Sequence, residues 1–257
     1  MTAGPGLDLL EVATGGPARA AFTTRAGGVS AGPLASLNLA ADRGDRDAAV
    51  RENRRRVCAA LGLRPEAVAM ARQVHGAGVR DADADDADRG RFLGALRGWR
   101  DGDALVTRAP GGALAVLGAD CLPVLLWRRD APAVAAAHAG WRGLVGGVLE
   151  AAVAALGAPA RVGAAIGPGI GPCCYPVSAE VRRRFAARFG DAVVAPPAVD
   201  LAAAARRALV AAGVPDAAVT TAAACTSCEP GRFFSHRRDG AATGRQAGVI
   251  ALAEEVG

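Results

Sequence analysis

Residues 114–144 read LAVLGADCLPVLLWRRDAPAVAAAHAGWRGL, and the fold turns on how this stretch is read. Two short apolar runs each end in a residue able to bind a metal or attack a carbonyl. Residues 114–117 lead into Ala119-Asp120-Cys121, and residues 134–137 lead into His138, with Ala139-Gly140-Trp141-Arg142-Gly143 directly after it. Apolar runs of this length between turn residues predict buried strands. Strand ends are rigid and the loops beyond them are open, so a Cys and a His delivered there have the layout of a site. The chain holds only 3 histidines, which makes each placement informative.

On the C-terminal side, a helix over residues 144–156 is expected directly after Trp141-Arg142-Gly143, with its free amides toward His138. Residues 161–166 predict a strand that feeds GPGIGPCCY at 167–175, a rigid, irregular loop. That loop lacks the GK[ST] ending of a phosphate-binding P-loop. Helices are predicted over 178–189 and 200–212, and strands over 217–224 and 247–252. On the N-terminal side, 7–12 suits an edge strand, 19–23 a second strand, 45–61 a helix ended by Gly62, and 68–74 a strand ending in Gln73-Val74-His75-Gly76. Residues 101–107 turn into a further strand, and the acidic run at 81–88 and the basic stretch at 89–100 read as solvated loops. There is no repeat or long linker, so one domain over residues 1–257 is expected.

The 257 residues suffice for a sizeable core, and with 51% hydrophobic but only 4% aromatic residues it must be filled by small aliphatics. The net charge of +5 is carried by arginine without any lysine. A solvated basic surface accounts for this, and a mild positive balance also suits phosphate-bearing substrates. No tract interleaves arginine with aromatics, so a nucleic-acid partner is not expected. No apolar run is long enough for a bilayer and the start has no export signal, so a cytoplasmic protein is expected, without membrane association. The 6 cysteines include the vicinal pair Cys173-Cys174, and a disulfide framework does not fit a chain of this length in a reducing compartment. Cys225 and Cys228 form a CxxC, but there is no second CxxC for a zinc ribbon, and the position near the C-terminus does not suit a thioredoxin motif.

Taken together, His75, Cys121 and His138 offer two imidazoles and one thiolate, a set that suits Zn²⁺ with an open fourth position. The same residues without a metal make Cys121 a nucleophile and His138 or His75 its base, as in a hydrolase or deamidase. A third reading makes them ordinary strand-end residues around a binding cleft. Arg25 beside Gly27-Gly28 could hold an anion or close an ordinary loop. Asn38 could read an amide or a sugar edge, or brace a turn.

Eight motifs carry a resemblance: TTRAGGVS at 23–30, SLNL at 36–39, QVHG at 73–76, DALVT at 103–107, ADCLPVLL at 119–126, AAHAGWRG at 136–143, IGPGIGPCCY at 166–175 and FFSHRRDGAATGRQAG at 233–248. In this order they resemble the laccase-domain family, also called the polyphenol oxidase or peptidoglycan editing factor family and linked to purine nucleoside phosphorylases. The resemblance implies a mixed α/β (α+β) fold, a layered sandwich of mixed sheets flanked by helices. It implies zinc held by His75, Cys121 and His138. It also implies phosphorolysis of adenosine, inosine, guanosine and methylthioadenosine, with adenosine deamination alongside, so purine nucleosides and inorganic phosphate are the expected partners. The family's pocket Arg and Asn fall on Arg25 and Asn38, and Gln73 is taken as a further substrate contact. Adjacency to the ligands assigns catalytic contacts to Asp120 and Arg142 beside Cys121, with Asp120 as acid–base group and Arg25 and Arg142 on the phosphate. The alternative is a peptidoglycan-precursor editing amidase, hydrolysing UDP-muramoyl-serine with the same zinc or Cys121. Pro176 stands where the family leads one to expect Glu, and His236 where an aromatic is commoner. Multicopper oxidation is rejected, because several copper centres rich in imidazole cannot be built from 3 histidines. With no evident dimerisation element, a monomer is expected.

Overall fold

A computed structural model describes residues 7–16, 18–84, 90–93 and 99–254, so parts of the acidic and basic loops, at 85–89 and 94–98, lie outside the described residues. One sheet orders its strands β1 (Leu9–Val12), β2 (Ala18–Thr23), β13 (Gln246–Leu252), β6 (Ala113–Gly118) and β3 (Val68–Ala69). A second orders β12 (Val219–Thr221), β9 (Val162–Ile166), β7 (Leu122–Arg128), β8 (Val134–Ala139), β5 (Ala104–Thr107) and β4 (Val79–Asp81). A small ribbon pairs β10 (Val194–Ala195) with β11 (Ala198–Val199). Both large sheets are mixed: in the first β13 pairs antiparallel with β2 and β6 while β3 runs parallel to β6, and in the second β7 pairs antiparallel with β8 and β9 while β12 runs parallel to β9 and β4 to β5.

The period of two along each strand sorts the core into layers. Leu114 and Val116 of β6 and Ile250 and Leu252 of β13 meet Leu125 and Trp127 of β7 and Val134 and Ala136 of β8 between the two sheets. The alternate residues of the first sheet, among them Ala115 and Val249, pack on Val57 and Cys58 of helix α1 (Asp47–Leu61). The alternate residues of the second sheet, among them Val124, Ala135 and Ala137, pack on helices α2 (Trp141–Gly146), α3 (Val148–Leu156), α4 (Ala179–Phe189) and α5 (Leu201–Ala211). The expected layered sandwich is therefore helix, sheet, sheet, helix. Both sheets are covered on both faces, which is why their strands read as continuous apolar runs.

The helices start and stop as local chemistry dictates. The Ser178 and Asp200 side chains accept the Val181 and Ala203 amides and cap α4 and α5. Gly62 closes α1 with φ 64°. Two expectations need correction. The helix expected over 144–156 begins at Trp141 and is split in two by Gly147, whose φ is 88°. The strand expected over 68–74 ends at Ala69, because the chain there leaves the first sheet to reach β4 in the second. His75 therefore lies on a crossover between sheets and not at a strand end. Cys121 lies on another such crossover, between β6 and β7.

Candidate metal centre and its cavity

His138 occupies the fifth place in a strand whose alternate residues Val134 and Ala136 face the other sheet. It pairs across the β7–β8 register with Pro123, just past Cys121. The two crossovers bring His75 and Cys121 to the same spot. Ligand atoms of His75, Cys121 and His138 lie within 4.8 Å of one another, and the two imidazoles meet edge to face at 4.9 Å. Burial grades through the trio, from exposed His75 through half-buried Cys121 to buried His138. Gly140 closes one side: a Cβ there would stand 2.8 Å from Cys121 Sγ and 3.3 Å from His75 Cδ2, so only glycine lets the backbone pass.

Asp103, which the sequence shows only as part of a turn before β5, organises the trio. Its fully buried carboxylate accepts the backbone N–H groups of Val74 (3.1 Å), His75 (2.9 Å) and Gly76 (2.6 Å), and it pairs with His138 Nδ1 at 2.9 Å. The first three bonds hold His75 at φ 61°, a left-handed conformation that a residue with a Cβ seldom adopts. The fourth fixes the His138 ring so that Nε2 is the nitrogen left for a ligand, a carboxylate–histidine arrangement usual behind a metal. Burial pushes the Asp103 carboxyl up, but the His138 and amide hydrogen bonds outweigh it and hold it below the ordinary value. Burial likewise raises the Cys121 thiol, yet the neighbouring imidazoles, His138 foremost, bring it down to about 6. Burial lowers His138, and the Cys121 and Asp103 charges reverse this, raising it to about 9. A thiolate and two imidazoles converging on one point are the donor set for a borderline-soft divalent ion, and the residues present fit it.

The trio opens into a cavity of about 970 Å³, within the range of small-molecule sites. Arg43, Arg72, Arg142, Arg237 and Arg245 line it against the acids Asp42 and Asp120, with Trp141, Tyr175 and His236 alongside. The Arg142 guanidinium stacks over Trp141 at 4.5 Å and has no hydrogen bond or ion pair among the described residues. Arg237 lies over the Tyr175 ring at 4.8 Å and donates from Nη1 to the Pro176 carbonyl at 2.9 Å. Residue 176 thus contributes its backbone to this wall. Burial raises the Tyr175 phenol to about 12, with the Cys121 charge adding to it.

The remaining expected site residues divide. Asp120 lines the cavity at φ 90°, and both its oxygens are engaged: Oδ1 accepts from Thr226 Oγ1 at 2.7 Å and Oδ2 from the Arg237 N–H at 2.6 Å. Gln73 also lines it, with its amide clamped on both backbone groups of Leu117 at 2.7 and 2.8 Å. Arg25 and Asn38 are not among the lining residues. Arg25 donates to the carbonyls of Ala35 (2.7 Å) and Pro230 (3.0 Å) and stacks on Phe234 at 4.5 Å. Asn38 is fully buried and braces the backbone of Ala40 and Arg245. The amides of the glycine turn are spent internally, Gly28 N–H on Ser36 Oγ and Val29 N–H on Asn53 Oδ1, which leaves that turn an ordinary closed loop. Asp103, Tyr175, Arg43, Arg237 and Arg245 were missed as site residues. A buried acid at the head of an apolar strand was the one available signal for Asp103.

Fold and site together define a layered α/β protein with a His₂Cys centre in a basic cavity. The chain belongs to the family described as multi-copper polyphenol oxidoreductase laccase, which it matches over residues 19–253. It is 44% identical over 265 residues to a purine nucleoside phosphorylase of Deinococcus radiodurans, covering 100% of this chain and 97% of that one. It is 40% identical to the purine nucleoside phosphorylase YfiH of Escherichia coli, covering 91% and 93%. The crystal structure of YlmD from Geobacillus stearothermophilus superposes with a TM-score of 0.85 at 38% identity, covering 93% of each chain. Neisseria meningitidis NMB0706 does so at 0.83 and 39%, covering 96% and 99%. The family description notwithstanding, 3 histidines cannot furnish several copper centres, and the protein is an enzyme other than a multicopper oxidase.

Proposed function

We propose that this protein is a zinc-dependent purine nucleoside phosphorylase that also acts on methylthioadenosine and deaminates adenosine. The carrying observation is the placement of His75, Cys121 and His138 in a cavity walled by arginines and aromatics. The names of its relatives agree with this reading. Zinc held by the trio supplies a Lewis acid or lowers the pKa of a water.

The protein's own groups do the rest. Trp141 and Tyr175 offer aromatic faces to a purine, and Tyr175, titrating near 12, stays protonated to donate a hydrogen bond. Arg142, uncommitted among the described residues, holds phosphate beside Arg237. In phosphorolysis a phosphate oxygen bonds to C1′ of the ribose, the C1′–N9 bond breaks, and the purine leaves with the electron pair and takes up a proton. In deamination water adds at C6 and ammonia leaves. Asp120, with both oxygens accepting hydrogen bonds, is best placed to position Arg237 through its backbone N–H, in addition to the acid–base work its adjacency suggests. Gln73 sets the distance between the crossover bearing His75 and the first sheet.

Incubating the protein with adenosine or inosine, with and without phosphate, and separating the products tests the reading. Ribose-1-phosphate with adenine or hypoxanthine is expected. If none of these forms, phosphate has no effect and UDP-muramoyl-serine is hydrolysed instead, the centre belongs to an amidase. The protein is taken to act as a cytoplasmic monomer, which light scattering on a sizing column and cell fractionation would check.

A further inference from the structure

The GPGIGPCCY loop and the CTSC turn are far apart in sequence, yet the fold joins them. Strands β9 and β12 are parallel neighbours, so the segments leaving their C-terminal ends run side by side. Gly169 bridges Cys225, and the Thr226 N–H donates to the Gly169 carbonyl at 3.0 Å. This alignment gathers Cys173, Cys174, Cys225 and Cys228, whose sulfurs all lie within 4.8 Å of one another. Cys228 Sγ stands 3.5 Å from that of Cys173 and 3.4 Å from that of Cys174.

All four are free thiols. A disulfide would need a separation of about 2.05 Å. Four thiolates around one ion at about 2.3 Å stand about 3.8 Å apart at the corners of a tetrahedron, which is the spacing class seen here. An iron–sulfur cluster puts several atoms between its cysteines and needs a wider ring. The Gly171 N–H donates to Cys225 Sγ at 3.2 Å, and a Cβ at Gly171 would stand 3.3 Å from Cys173 Sγ. The loop backbone is thus wrapped on the sulfurs, with an amide aimed at one of them. The second half of the missing ribbon is the vicinal pair Cys173-Cys174.

The geometry points to a second metal site in this chain, a closed Cys₄ centre for one zinc ion formed by Cys173, Cys174, Cys225 and Cys228. Four sulfur ligands select a soft or borderline ion over a hard one and leave no open position, so the role is structural. The centre staples the loop bearing Tyr175 to the turn bearing Thr226. Thr226 in turn holds Asp120, and Arg237 bridges Asp120 to Tyr175, so the ion braces one wall of the cavity. The inference stands independently of the reaction proposed above.

Zinc is measured in the full chain purified under reducing conditions. About two ions per chain are expected, falling to about one in Cys225→Ser/Cys228→Ser and to about one in His75→Ala/His138→Ala. Should the cysteine variant not fold, cobalt replacement in the histidine variant decides. An intense thiolate-to-cobalt absorption in the near ultraviolet is expected there, since the four sulfurs remain. A single zinc that the histidine variant loses and the cysteine variant keeps overturns the proposal. So does a disulfide among these four residues in unreduced peptides, or a histidine variant that binds no cobalt. A single zinc kept by the histidine variant supports the Cys₄ centre and sinks the His₂Cys reading instead.

Discussion

Asp103 is the residue on which the centre depends. It holds one imidazole by its ring and the other by its backbone. Asp103→Asn replaces an acceptor-only carboxylate by a group with its own N–H donors, facing three amides. The dissociation constant for zinc should rise about 10–100-fold, read by competition with a chromogenic chelator. An unchanged constant would show the carboxylate to be dispensable. Protonation gives a second prediction. Cys121 has an ordinary value of 9.0 and falls to about 6, while His138 has 6.5 and rises to about 9. The depressed thiol stabilises the fold above its unfolded value and loses that contribution as pH falls through about 6. The raised imidazole stabilises it below 6.5 and loses that contribution as pH rises through about 9. Between 6.5 and 9 the folded pair keeps its one proton on His138 and the unfolded pair keeps it on Cys121, so this pair adds no pH slope there. Alkylation of Cys121 in metal-free protein should therefore rise with a midpoint near pH 6. A midpoint near 9 would contradict the thiolate–imidazolium pair. In His138→Ala the midpoint should move upward.

At the scale of elements, α1 shows how a polar helix face organises a loop. Asn53 is fully buried and accepts the Val29 N–H at 2.8 Å while donating to Ser30 Oγ and the Asn38 carbonyl at 2.8 Å each. It pins the glycine turn and the Asn38 turn together. Asn53→Ala leaves a buried N–H, hydroxyl and carbonyl without this partner and should cost about 2–4 kcal/mol on the usual worth of such groups. Urea unfolding measures it, and a loss below half of one kcal/mol would mean that water replaces the amide. The same element engages part of the turn at 23–30: Asn53 of α1 takes the Val29 N–H, while Ser36 Oγ takes that of Gly28. The split between α2 and α3 has a similar local cause. Gly147 in the left-handed region turns the chain, so a helix that starts at Trp141 beside the centre need not continue in the direction of α3.

At the scale of the whole molecule, the site lies beside a tight contact between the two sheets. Pro123, opposite His138, is pressed between Gly167 and Gly248: a Cβ on either would stand 2.8 Å from a Pro123 carbon. Gly248 belongs to β13, the strand that joins β2 to β6 in the first sheet. Gly248→Ala should wedge the sheets apart and cost about 1–3 kcal/mol through overpacking. Urea unfolding with zinc affinity measured alongside checks it, since both should fall if the inter-sheet spacing sets the centre. Loss of stability with unchanged affinity would uncouple the two.

By itself the sequence determined the strands and helices of the buried layers, and it marked His75, Cys121 and His138, because rare polar residues next to apolar runs stand out against an alanine-rich background. It also determined that no set of copper centres could be built. It did not show that His75 and Cys121 sit on crossovers between sheets, since one strand end looks like another until the sheet assignment is known. Asp103 escaped because its partners lie 27–35 positions away and nothing local marks which amides will converge on it. The resemblance points Arg25 and Asn38 toward the substrate; in the fold Arg25 donates to the Ala35 and Pro230 carbonyls, and Asn38 lies behind the cavity wall, bracing its lining residues Ala40 and Arg245. The two cysteine pairs looked unrelated for the same reason. Only the parallel pairing of β9 and β12 brings them together, because hydrogen bonds between strands act across space and leave no trace in the local order of residues.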